Sequence, residues 1–296
     1  MEKIMERFLL YLQNEKQAAK NTIEAYRRDI REFFAFAKEK GASEPAQISQ
    51  TDVISYLLRL KNSGKSASTV NRRVASLRNF FAYMHSEGLI KENPMNDIKS
   101  PRVERKELEY LTIEEVDRLL SLPDTSAKGI RDKAILEVLY ATGIRVSELV
   151  EANLEDVNTR MGFITCHGNL QGKPRIVPMG RPARAAMEEY IYDVRPKFAL
   201  NSGEDNALFL NYKGERISRQ GLWKLIREYA AAAGLQRHIT PQILRNSFAV
   251  HMIQNGADLK SLQELLGHED LAATQIYLSV TKNRIKEVYD KTHPRA

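Results

Sequence analysis

The sequence predicts a mainly α-helical protein of two domains, on three observations. Its 296 residues exceed the usual length of a single domain. Apolar residues recur at three- and four-residue spacing through most of the chain, the signature of helices with one buried face. The stretch NDIKSPRVERKELEY, at positions 96–110, is charged, proline-marked and without an apolar period, which reads as a linker. The expected organisation is a four-helix domain over 1–95, a linker over 96–110, and a larger helical domain over 111–296 carrying a small β-hairpin.

Ile4, Met5, Phe8, Leu9 and Leu12 fall on one face of a first helix. Asn21 and Glu24 have the spacing of a capping box, ahead of Ile23, Tyr26, Ile30, Phe33, Phe34 and Ala37 at helical intervals. A third helix is expected over 52–60, followed by the flexible loop KNSGKSAS. A fourth runs over 69–87, with Gly88 as its stop and Pro94 beyond. After the linker, Thr112 and Glu115 form a second capping box before Ile113, Val116, Leu119 and Leu120. MGFITCHGNLQGKPRIVPM departs from the helical pattern and reads as two short strands joined by a Gly-containing turn.

Composition narrows the partners. Lys and Arg number 45 against 38 Asp and Glu, giving +7 and a pI near 9.3. That balance points to a polyanion, nucleic acid or a membrane surface, and also serves simple solubility. One cysteine, Cys166, excludes an internal disulfide framework and a cysteine-based zinc site. No apolar run has membrane-spanning length, and MEKIMERFLLYLQNEKQ is too charged for a signal peptide. A cytoplasmic protein with no membrane partner is expected.

The basic residues gather in two places. Lys65, Arg72, Arg73 and Arg78 fall in a loop and the helix after it. Arg72, Ser76 and Asn79 would share one face, opposite Val70, Val74, Leu77 and Phe81. Such a face suits a major groove as well as it suits solvent. Lys213, Arg216 and Arg219 surround a turn before Trp223. Two basic surfaces joined by a linker fit a clamp around double-stranded DNA.

Attack on a DNA phosphodiester would require fixed cations for the non-bridging oxygens, a task that suits arginine. It would also need an activated hydroxyl and a proton donor for the leaving oxygen. Candidates occur in four islands. YATGIRVSELV holds Arg145 after a Gly-marked turn, with Glu148 three residues on. The hairpin turn holds Lys173. TPQILRNSFAVHM places Arg245 at the start of an expected amphipathic helix with Phe248, Met252 and Ile253 facing inward. GHEDLAATQIY holds His268 and Tyr277. Each has an alternative: a surface ion pair for Arg145 and Glu148, a solvated turn for Lys173, a surface base for Arg245, a helix cap for His268, a core aromatic for Tyr277. An unbroken helix from His268 to Tyr277 would hold them about 13 Å apart. Gly267 and the polar residues after it suggest a turn, then a short helix from near Leu271, which would let the two converge.

In order and spacing these islands resemble the tyrosine recombinases almost end to end. RDKAILEVLYATGIRVSELV, LFLNYKGERISRQGLW, LRNSFAVHMIQNGADLKSLQELLGHEDLAATQIY and the terminal HPRA look like the Xer branch, bacterial recombinases that resolve chromosome dimers. The resemblance implies a SAM-like helical core-binding domain and a mixed helical catalytic domain, closing as a C-shaped clamp on DNA. It implies a nucleophilic tyrosine that forms a 3′-phosphotyrosyl link, needing no metal, nucleotide or other cofactor. It also implies a homo- or hetero-tetramer of recombinases on a dif-like or attachment site, with a septal DNA translocase of the FtsK type as a further partner. By position, Arg145 and Arg245 match the two catalytic arginines, His268 the late histidine, Tyr277 the nucleophile and Glu148 the supporting acid.

Two positions depart from that pattern. Gln242 stands where the family has a histidine, and an amide cannot take a proton at neutral pH; His238 lies just upstream as a substitute. The turn GNLQGKPR puts Asn169 or Leu170 near the usual acid lysine. That leaves Lys173 as the turn's one lysine, with Arg175 joining the residues expected to contact DNA. Asn246 replaces a histidine after the second arginine, a difference assigned to packing. A working but slower enzyme, a relative that binds DNA and cuts weakly or not at all, and a basic helical transcription regulator are the readings these residues allow. In the C-terminal segment, Val280, Ile285 and Val288 give an apolar stripe suited to docking on a neighbouring protomer or back onto its own chain.

Overall fold

A computed structural model describes residues 1–101, 107–168, 174–200, 206–268 and 270–278. Lys173, Asn169, Leu170, Val280, Ile285 and Val288 lie outside the described residues. The chain divides into two compact units, Met1–Lys106 and Glu107–Ala296.

The first unit holds α1 (Glu2–Asn14), α2 (Lys20–Glu39), α3 (Gln50–Asn62) and α4 (Ala67–Ser86). Their apolar faces meet in one core. Phe8 and Phe34 each set a ring edge-on to Phe80, at 5.4 and 5.5 Å, and Phe33 does the same to Tyr56 and Phe81. Edge-to-face packing of this kind adds to the area these rings bury. Ser49 and Ser66 cap α3 and α4 through their hydroxyls. The capping box expected at Asn21 and Glu24 does not form. The helix begins at Lys20 after an extended Ala19, so Asn21 already lies inside the first turn.

In the second unit, α5 (Ile113–Ser121) carries the expected Thr112–Glu115 box. The helices α6 (Ala127–Thr142) and α7 (Val146–Glu151) follow. A three-stranded antiparallel sheet runs in the order β1 (Val157–Asn158), β2 (Phe163–Cys166), β3 (Arg175–Pro178). Ile164 pairs with both Val157 and Val177. The expected hairpin is β2–β3, and the two-residue β1 is too short to leave an alternating pattern in the sequence. Next come α8 (Arg181–Glu189), a π-turn over Tyr190–Val194 and α9 (Arg195–Ala199). The unit ends with α10 (Arg219–Ala232), α11 (Pro241–Gln254), α12 (Leu259–Leu266) and α13 (Ala272–Gln275).

The helix α11 sits at the centre of this unit and is buried nearly all round, from Ile243 through Val250 to Ile253. It is therefore not the amphipathic helix expected. Arg245, Asn246, Ser247 and His251 are buried on it as well, and each such polar group needs a partner. Those partners make the site.

Candidate active site

Two glycines set the backbone on which the cluster is built. Gly143 ends α6 and Gly267 ends α12, both in the left-handed region, at φ +57° and +62°. That conformation turns the chain sharply and is open to glycine at little cost. After Gly143 the chain places Arg145 as the residue before α7. After Gly267 it places His268, and α13 follows within a few residues.

Three guanidinium groups then converge on the C-terminal end of α12. Arg175 donates from Nε to the Leu265 carbonyl at 2.7 Å. Arg245 donates to the Leu266 carbonyl at 2.6 Å and to the Gly143 carbonyl. Arg145 donates to the Gly267 carbonyl. The carbonyl end of a helix carries partial negative charge, which favours cations there. Glu148 supplies the full anion. Its carboxylate accepts from the Arg145 backbone N–H at 2.8 Å, from the Arg145 guanidinium at 2.9 Å, and twice from Arg175 at 2.6 and 2.8 Å. Burial alone would raise the Glu148 carboxyl, but Arg175 and Arg145 hold it below the usual carboxylate range.

One carboxylate against three guanidinium groups leaves this cluster at 3 − 1 = +2 among the described residues. Arg245 shows the imbalance. Burial first, and the like charge of Arg145 next, pull it down to about 10, so it remains charged at neutral pH and only 4% exposed. A site of this kind is electrostatically prepared for an anion.

His268 stands at the edge of the cluster. Arg245 donates to its Nε2 at 3.2 Å, and its Nδ1 faces the Thr274 hydroxyl at 2.9 Å. Burial and the guanidinium groups of Arg245, Arg145 and Arg175 lower its pKa to about 4. The Tyr277 ring lies nearly parallel to the imidazole, with centroids 6.5 Å apart. Gly267 and the short α13 thus bring the two together, as the turn in the sequence suggests. Tyr277 is 1% exposed and packs with Phe248, Leu262 and Leu266. Its hydroxyl donates to Asn246 Oδ1 at 3.3 Å. Burial raises its pKa, against the pull of Arg245 and Arg145. The phenol is therefore a core aromatic in the free chain and also a neighbour of the arginine cluster.

The Gln242 amide donates to Asn246 Oδ1 at 2.9 Å. Asn246, assigned to packing in the sequence, is instead the side chain that holds the phenol. His238 sets its ring beside Trp223, 6.4 Å between centroids. Asn246 and Thr274 are the site residues that sequence reasoning missed. Residue type and spacing carry no mark of Thr274, on α13, whereas Asn246 beside Ser247 on the largely buried α11 is a polar pair that calls for internal partners.

The basic residues expected on DNA separate into two groups. Arg73 is 5% exposed and bound to Glu32 and Tyr56, beside the fully buried Asp29, so it holds the first unit together and does not face a groove. Arg72 pairs with the same Asp29, and Ser76, expected beside it on the open face, is buried. Arg216 donates to the Val150 and Ala152 carbonyls and to Asn153. Arg175, with its side chain 12% exposed, belongs to the Glu148 cluster. Lys65, Arg78, Lys213 and Arg219 are exposed, though Arg78 also donates to the Ile98 carbonyl.

Both units match known proteins. Residues 109–284 match the Phage integrase family, and residues 5–88 match the Phage integrase, N-terminal SAM-like domain. Tyrosine recombinase XerD of Listeria monocytogenes serotype 4b (strain F2365) is 42% identical over 298 residues, covering 100% of both chains. The crystal structure of XerA recombinase aligns over 99% of this chain and 100% of its own, at 26% identity and a TM-score of 0.57. XerH site-specific recombinase, solved on palindromic difH substrate as a post-cleavage complex, shares the fold at 22% identity and a TM-score of 0.73, over 90% of this chain and 78% of its own. With the buried arginine cluster, its histidine and its tyrosine in place, and family matches in both units, this chain belongs to the phage integrase family as a Xer-like tyrosine recombinase.

Proposed function

We propose that this chain is a site-specific recombinase that cuts and rejoins duplex DNA through a 3′-phosphotyrosyl link on Tyr277. The observation that carries the reading is the convergence of Arg145, Arg245 and His268, from separate elements, beside Tyr277. A scissile phosphate entering the cluster would take over guanidinium N–H groups that now donate to the Leu266 and Gly267 carbonyls. Its charge would be met by groups fixed in advance, usually the largest single contribution to catalysis. Glu148 and Arg175 act from behind, fixing the Arg145 guanidinium. The attacking phenol must leave its apolar seat, and beside two guanidinium groups its ionisation becomes easier. Gln242 cannot accept the phenolic proton, and His268, uncharged at neutral pH with its Nε2 held by Arg245, is proposed to lie against the phosphate rather than to act as the base. Lys173 is the proposed acid for the leaving 5′-oxygen.

The exposed Lys65, Arg78, Lys213 and Arg219 are proposed as backbone contacts of the two units on DNA. They would position the duplex without reading its sequence. The proposed substrate is a dif-like or attachment site bound by a tetramer of this chain or of this chain with a paralogue. An FtsK-type translocase is a proposed further partner, and the cytoplasm the proposed location. No helix among the described residues is long and apolar enough to cross a membrane.

The test uses a duplex recovered by binding selection from a randomised pool, then nicked near its centre to trap the covalent product. The wild-type protein should give a slow-migrating adduct on a denaturing gel, and Tyr277→Phe none. Arg245→Ala should lower the yield rate on the order of 10²–10³. Tight binding of the selected duplex with no adduct would leave a DNA-binding relative that does not cut.

A further inference from the structure

We infer that Asn246 is a positioning residue for the nucleophile, tying the Tyr277 hydroxyl to the segment Leu108–Leu111 near the start of the second unit. The inference rests on the reading of Tyr277 as the attacking group. It begins with the orientation of one buried amide. The Glu109 carbonyl can only accept, and it takes Asn246 Nδ2–H at 2.9 Å. Oδ1 must then face the other way, where it receives Gln242 Nε2–H at 2.9 Å and lies 3.3 Å from the Tyr277 hydroxyl. An amide oxygen offers lone pairs only. The seat therefore accepts a protonated phenol and repels a phenolate, so it holds the form that cannot attack.

A second observation links the same segment to the same ring. Leu108 and Tyr110 pack in the apolar cluster of Phe248, Leu262, Leu266 and Tyr277. The Leu111 N–H donates to the Ser247 hydroxyl at 2.8 Å, so the segment is pinned to α11 on both sides of Tyr110. If Glu109 moves away, Nδ2 loses its acceptor and the amide is free to turn. It would then present an N–H to the Tyr277 oxygen and favour the phenolate. One side chain thus converts displacement of the segment into a change in the ionisation of the nucleophile.

The probe is tetranitromethane, which nitrates phenolates, used on the full-length free protein across a pH series. Peptide mass spectrometry compares Tyr277 with Tyr190, a fully buried tyrosine in the other core of the same unit. Asn246→Ala and Ser247→Ala should each raise Tyr277 nitration roughly three- to tenfold, the worth of one lost hydrogen bond, and move its pH profile down. Asn246→Asp is nearly isosteric and puts an anion against the phenol, so it should move the profile up. Tyr190 should stay unchanged in all of them. A Tyr277 profile indifferent to Asn246→Ala and Asn246→Asp would overturn the inference, as would Tyr190 rising in step with Tyr277. A Tyr277-dependent DNA adduct formed by the wild-type protein keeps the recombinase reading intact in either case, and its absence counts against that reading alone.

Discussion

Arg245 donates to Nε2 of His268 while Nδ1 faces the Thr274 hydroxyl, so the ring proton sits on Nδ1. With a folded pKa of about 4, below the ordinary histidine value of 6.5, the unfolded chain binds more protons in between. Stability should rise with pH through that window, be complete above it, and fall away as pH drops through about 4. Thermal melts of the wild type and His268→Gln over the same pH range check this, because the variant should lose that part of the slope. Glu148→Gln is the complementary case. It leaves the Arg145 and Arg175 guanidinium groups without their anion, which should destabilise the fold by about 3 to 5 kcal/mol. Urea unfolding measures it, and a loss under about 1 kcal/mol, the range of a surface pair, would show that the carboxylate is not the anchor described. The sequence placed Arg145, Glu148, Arg245, His268 and Tyr277 as candidates by residue type and order. It could not show that Arg175 shares Glu148, nor that Arg73 is buried, because an ion pair between distant residues leaves no periodicity to read.

The helix α12 is short, yet its last carbonyls anchor all three arginines. Its end is fixed by Gly267, where an added Cβ would meet the Arg175 guanidinium at 2.9 Å and strain a left-handed backbone. Gly267→Ala should cost about 1 to 3 kcal/mol and should also slow adduct formation, since the carbonyls that aim Arg145 and Arg245 would shift. Gly143 is held more tightly still, with a Cβ there only 2.4 Å from the Phe248 ring. Both glycines were legible as turn signals, and the turn at Gly267 was what allowed His268 and Tyr277 to converge. The character of α11 was harder to read. Its polar residues suggested an exposed face, whereas three of them are buried and paired: Asn246 to Glu109, Ser247 to Leu111, His251 to Tyr140. Pairing of this kind is decided by tertiary contacts, which the local pattern does not contain.

Across the molecule, the two helical units and the position of the hairpin were visible as shifts between helical periodicity and short apolar runs, whereas the division between the units falls after Lys106, inside the stretch read as a linker. The strand β1 was not visible, being two residues long. The +7 charge belongs to this scale as well. Contacts from basic side chains to phosphates release counterions, so affinity for a selected duplex should fall steeply with salt, by a factor on the order of 10³ or more between about 50 and 200 mM if six or more phosphates are contacted. A binding isotherm insensitive to salt would remove the basic surfaces from the account. The most direct test of the central claim is mass spectrometry of the trapped DNA–protein adduct after proteolysis. The account requires the peptide containing Tyr277 to carry a nucleotide through its 3′-phosphate. A nucleotide on any other residue, or a link through a 5′-phosphate, would contradict it.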